Sequence, residues 1–144
     1  MNKIFKSIRY AATGIFGYDF VDEQGQIVGG TSTIVAPNPP VYIRGYGYEF
    51  VSQMNENGYI CIEDKDKRIV AYVQQLEQNK YSIHFYDLVL CVTVDEVSYK
   101  ISHDDKSVIL MGRDMKDKGF HINVFDELDI AICLIVFAIP IIIN

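Results

Sequence analysis

"DELDIAICLIVFAIPIIIN", residues 126–144, carries no charged side chain after Asp129, and its reading decides the architecture. Ile130 to Ile143 is an unbroken apolar run of fourteen residues, about 21 Å long as a helix at 1.5 Å per residue. A bilayer core asks for about 20 apolar residues, whereas runs of about 10 to 14 are more often buried core helices. The flanks point the same way. Asp126, Glu127 and Asp129 precede the run, Asp126 is suited to cap a helix, and acids in a first turn complement the helix dipole. A membrane anchor usually carries Lys or Arg beside its span, and none occurs after Lys118. A helix that is apolar all round has to be buried on every side. The stretch therefore predicts a helix over about 127–139, enclosed by the rest of the chain and ended near Ala138 or Ile139 by Pro140, with Ile141 to Ile143 extended.

What encloses it follows from the preceding residues. At 144 residues, 49% hydrophobic and 22% charged, the chain can bury one core, and residues 1–144 are expected to form a single domain. Ten Tyr and eight Phe without Trp favour strands. Between Phe16 and Phe125 the dominant period is two: Phe16, Tyr18 and Phe20 share a face in "FGYDF", Tyr46, Tyr48 and Phe50 in "YGYEF", and Tyr81, Ile83 and Phe85 in "YSIHF". Turn-forming stretches separate the runs at 22–26, 55–58, 64–67, 77–80, 103–106 and 114–119. This is an antiparallel meander of about twelve strands over about 16–125. "DLVLCVTVDEV" (87–97) is apolar on both faces, which predicts cover on each side. The fold class expected is mainly β, a closed antiparallel barrel around a buried hydrophobic C-terminal helix, because closure removes strand edges and the helix fills the bore. "APNPP" at 36–40 reads as a surface loop within the domain.

Tyrosine-led hairpins recur as "YDFVDEQGQIVGG" from Tyr18, "YICIEDKDKRIVAY" from Tyr59 and "YKISHDDKSVILMG" from Tyr99. The pattern Tyr18, Phe20, Asp22, Gly25, Ile27, its echo at 59–73, and the ending "FHINVFDELDIAICLIVFAI" at 120–139 together resemble the tubby C-terminal domain-like superfamily. In size the chain is most similar to its small LURP-one-related (LOR) proteins of plants and bacteria. The resemblance covers most of the chain and implies a cytoplasmic, non-enzymatic binding or scaffold module with a protein or phospholipid partner. Relatives include phosphoinositide-binding tubby proteins and phospholipid scramblases. This chain departs from the lipid-binding members, being acidic and without a dense Lys/Arg pocket on one strand, and the 36–40 loop is a second departure. The alternative is a peripheral membrane or phospholipid-binding protein, anchored through the apolar terminus or touching lipid by its basic turns.

With 13 basic and 19 acidic residues and a net charge of -6, the chain repels phosphate backbones, so nucleic acid is not an expected partner. Cys61, Cys91 and Cys133 lie in apolar runs, which predicts reduced, buried thiols, and Arg9 interrupts any signal-peptide core. His84, His103 and His121 have no second ligand at metal spacing, and no Ser sits in a nucleophile elbow. No catalytic, cofactor or metal residues are therefore assigned, and no enzyme is expected. The remaining candidates are basic: Lys65, Lys67 and Arg68 in one turn, Arg113, Lys116 and Lys118 in another. If both turns project from one end of the barrel, they form a small positive patch able to hold an anionic head group or a peptide. The preferred reading is two solvated turns.

Overall fold

The computed structural model describes residues 2–116 and 118–143. Twelve strands run in chain order: β1 (Lys3–Ala12), β2 (Ile15–Val21), β3 (Ile27–Ile34), β4 (Val41–Gly45), β5 (Tyr48–Met54), β6 (Ile60–Asp64), β7 (Ile69–Glu77), β8 (Lys80–Phe85), β9 (Leu88–Val94), β10 (Ser98–His103), β11 (Lys106–Asp114) and β12 (Gly119–Val124). Each pairs antiparallel with its neighbours in sequence, and β1 pairs with β12 from Lys3↔Val124 to Ser7↔Phe120, which closes the barrel. The expected fold class is the observed one.

The strands begin earlier than the period-two reading placed them, since β1 occupies residues 3–12. By register Phe5 faces Ile122, Ser7 faces Phe20 and Phe120, and Arg9 faces Tyr18, so the inward set of β1 ends in a cation. A strand whose inner face turns charged near the barrel end does not show clean alternation.

Side-chain carboxylates and amides shape the turns. Asp22 Oδ1 accepts from the backbone N–H of Gln24 (3.0 Å) and Gln26 (2.9 Å). Asn55 does the same for Asn57 and Tyr59, and Asp64 for Asp66 and Arg68. These local bonds satisfy the turn backbone and make Asp and Asn legible as turn starters. One aromatic triplet is corrected: Tyr46 is not in a strand. It adopts φ 49° beside Gly47 at φ 83° in the tight β4–β5 turn, so Tyr46 and Tyr48 are exposed and only Phe50 reaches the core.

The apolar terminus lies inside the barrel as α1 (Ile130–Phe137) and α2 (Ile139–Ile142), with every residue from Ala131 to Ile142 buried. Twelve strands enclose a wider bore than the eight that wall side chains alone can fill, and the helix supplies the missing volume. The Phe137 ring packs at 5.1 Å from Phe5 and 5.5 Å from Phe20. Leu134 lies so near β4 that a Cβ on Gly45 would come within 2.9 Å of its Cδ2. Two details differ from expectation. Asp129, not Asp126, caps α1, accepting from Ala131 N–H at 2.9 Å. Residues 141–143 are not extended: Pro140 sits in the first turn of α2, where its fixed φ and missing N–H are tolerated, and Ile142 and Ile143 donate to the carbonyls of Ala138 and Ile139. In an apolar bore these N–H groups would otherwise lack acceptors.

β9 is corrected as well. Leu90 and Val92 are buried, but Val89 and Cys91 are exposed on the outer wall, so the strand is covered on one side only. Of the three thiols expected to be buried, Cys133 is, Cys61 is half-buried and Cys91 is exposed.

Candidate functional site

In an up-and-down barrel successive turns alternate between the two ends, and this parity separates the basic turns. The β6–β7 turn, with Lys65, Lys67 and Arg68, lies at the end where α1 begins. There its neighbours include Asp22, Glu23, Asp104 and Asp105, and its cations are exposed and interleaved with Asp64 and Asp66. The β11–β12 turn with Lys116, and Arg113 just before it, lies at the opposite end, which is called the mouth below. The structure does not bring the five expected contact residues together. Arg113 and Lys116 share the mouth with a residue the sequence reading passed over, Arg9.

The mouth holds a cavity of about 600 Å³ that opens to solvent, within the range of about 300–1,000 Å³ usual for small-molecule sites. Its wall includes Arg9, Tyr18, Thr33, Ser52, Gln75, Tyr81 and Arg113, and Pro140 to Ile143 form its apolar floor. The Pro-rich loop, which had no assignable role, forms one lip through Ala36, Asn38 and Pro39. Thr33 Oγ1 donates to the Pro40 carbonyl at 2.9 Å and ties this lip to the wall.

Both arginines belong to the inner face, Arg9 opposite Tyr18 on β2 and Arg113 opposite Phe120 on β12. The Arg113 guanidinium carbon lies 5.8 Å from the Tyr99 ring centre and 5.5 Å from that of Phe120, within cation–π range. Burial pushes the Tyr18 phenol above its usual value, and the charges of Arg9 and Arg113 both pull against that shift. Burial likewise raises Tyr99, opposed by Arg113. The two guanidinium groups therefore act on one phenol although they stand on different strands. Among the described residues, no carboxylate lies within salt-bridge distance of either. On the same inner face Ser7 Oγ, one step further from the mouth than Arg9 on β1, and Thr31 Oγ1, opposite Tyr18, are buried without a hydrogen-bond partner among the described residues.

Other reactive groups lie elsewhere. His84 stacks on Tyr72 at 4.3 Å with its Nε2 3.2 Å from Ser82 Oγ, and His121 Nε2 is 3.0 Å from Asp114 Oδ2. Their register places both on the outer wall. His103 is 3.6 Å from the exposed Asp104 in a turn. Burial pushes the Cys133 thiol up to about 11, which leaves it protonated and inert at neutral pH. Among the described residues no group of three or more His, Cys, Asp or Glu side chains could hold a metal ion. Nor, among them, is any helix long and apolar enough to cross a membrane.

The sequence signal for Arg9 is a cation two and four residues beyond Ser7 and Phe5, positions that share one face of a strand; its place beside Lys3 and Lys6 near the start of the chain gives it the look of a targeting segment instead. No protein-family model matches this chain, and no curated protein matches it. An X-ray structure of a protein from Arabidopsis thaliana superposes on it with a TM-score of 0.69 at 12% identity, covering 99% of this chain and 92% of that one. At that identity the likeness is one of fold alone.

Proposed function

We propose that this chain is a non-enzymatic binding module of the tubby-like, LURP-one-related kind, acting in the cytoplasm and receiving its ligand or partner at the mouth. The observation that carries the reading is the cavity of about 600 Å³ bounded by inward Arg9 and Arg113, the proline lip and the end of the helix. A pocket with an apolar floor and a few convergent polar groups is the usual form of a binding site. The non-enzymatic reading is supported by His84 and His121 standing on the outer wall, across the sheet from that cavity. An NMR titration of the full chain with a set of small organic fragments tests it. Amide shifts are expected to cluster at Asn38, Gly58 and Gln75; shifts confined to the outer wall or the acidic end overturn it.

One observation favours a second reading, peripheral contact with phospholipid. Every hairpin around the mouth carries an exposed apolar side chain: Ile15, Val35, Met54, Leu76, Val97 and Met115, the last 85% exposed. A ring of this kind beside cations suits a membrane interface. Flotation with liposomes of neutral and anionic lipid decides, and absence of binding at every ionic strength removes it.

A further inference from the structure

The mouth has the two halves of an amphiphile site. Arg9 and Arg113 lie on strands flanking β12, with Arg9 two residues further along β1 than the position level with Arg113; both line the cavity and both act on the Tyr18 phenol, so two long side chains there can reach one group. Guanidinium forks match planar or tetrahedral oxyanions and bind them through charge-assisted hydrogen bonds. Neither fork has a carboxylate partner among the described residues, and the groups on the Arg113 guanidinium are the Tyr99 phenol and the Tyr99 and Phe120 rings, none of which carries an anion's charge. Below them the floor changes character: Pro140, Ile141, Ile142, Val41 and Val73 all line the cavity. Inorganic anions would gain from the first half only, and neutral hydrocarbons from the second only.

Net charge limits the occupant. The chain carries a net charge of -6, which repels polyanions. The turns of the mouth also carry Glu56, Glu77, Asp95, Glu96 and Asp114, so the anion contact is assigned to the two inward guanidinium groups that line the cavity and not to the mouth as a whole.

We infer that the mouth binds an amphiphilic oxyanion, a carboxylate or phosphate monoester on an aliphatic body, with its head between Arg9 and Arg113 and its aliphatic part on the Pro140–Ile142 floor. This rests on the mouth being the binding site, as proposed above. Arg9 and Arg113 set the specificity for charge, and the floor sets it for chain length.

Calorimetric titration of the full chain with acetate, hexanoate, octanoate, octyl phosphate, inorganic phosphate and octanol, all below micellar concentration, tests the inference. Affinity should rise about threefold to fourfold for each added methylene. Octanol and inorganic phosphate should each bind at least about tenfold more weakly than the better of octanoate and octyl phosphate, and that better ligand identifies the head group. Arg9→Gln and Arg113→Gln should each weaken it by about 10- to 100-fold, with thermal unfolding of Arg9→Gln unchanged, while Lys67→Gln at the opposite end leaves binding as it was. Octanol binding as tightly as octanoate, or wild-type affinity in Arg9→Gln, overturns the oxyanion assignment and leaves the mouth as a binding site for other ligands. No binding by any of the six also overturns it, and whether the mouth binds anything at all is then read from the fragment titration.

Discussion

The two ends of the barrel are built from the same twelve strands and differ in what the helix does there. At the acidic end α1 is pinned: Asp129 caps it, and the β4–β5, β8–β9 and β10–β11 turns are tight, helped by positive φ at Tyr46, Tyr86, Asp104 and Asp105. At the mouth the helix stops at Ala138, Pro140 redirects the chain into one further turn, and the 35–40 connection is the widest of the hairpins. The inner wall follows this difference. Along β1 the inward positions run from Phe5 through Ser7 to Arg9, and along β11 from Ile109 and Met111 to Arg113, so on both strands the inner face ends in a cation at the mouth.

Substitutions at the two levels should separate them, beginning with the bore. Deleting residues 130–144 should leave a chain that does not fold. Phe137→Ala should cost about 3–5 kcal/mol and Leu134→Ala about 2–5 kcal/mol in urea unfolding, because a rigid barrel collapses poorly around a cavity. A folded truncation with a cooperative transition would show that the wall does not need its filling.

Next in size is an alkaline effect from the same level. An unfolded Cys133 loses its proton near pH 9, whereas burial holds the folded thiol to about 11. Below pH 9 the folded state carries no penalty for this group; between about pH 9 and 11 stability should fall by roughly 2–3 kcal/mol, at 1.36 kcal/mol per pKa unit. Tyr18 and Tyr99, also raised by burial, act in the same direction above pH 10. Unfolding midpoints of wild type and Cys133→Ala across this range should diverge in slope, and parallel slopes would contradict the assignment.

The helix start gives a smaller contrast. Asp129→Ala should cost about 1 kcal/mol through the lost cap, while Asp126→Ala should stay within about 0.5 kcal/mol, as for an ordinary surface change; equal losses would return the cap to Asp126. Smallest should be the effect of the mouth on stability. Arg9→Gln, solvated and without a carboxylate partner among the described residues, should shift unfolding by no more than about 0.5 kcal/mol. A larger loss would mean that Arg9 holds the barrel together rather than serving a ligand.

Much of the fold was legible before any coordinates, for local reasons. The fourteen-residue apolar run is too short for a bilayer and too apolar for a surface helix. Turns begun by Asp22, Asn55 and Asp64 are specified by bonds between residues two and four apart. β1 was not legible because its inner face ends in Arg9, and the Tyr46 triplet failed because alternation does not distinguish a strand from a turn with positive φ. Of the site, Arg113 and Lys116 were named for their charge, but in the company of residues from the far end of the barrel.

Composition and periodicity alone determined that this chain is a meander of short strands enclosing its own apolar terminus, since both follow from which side chains water excludes and at what spacing. Only the closed structure decided that Lys67 and Arg113 stand at opposite ends of the barrel and that Arg9 and Arg113 line one cavity. That depends on the parity of turns and on a strand pair, β1 with β12, joining residues more than a hundred positions apart. No local signal encodes such a pairing, because it exists only once the whole wall has curved far enough to meet itself.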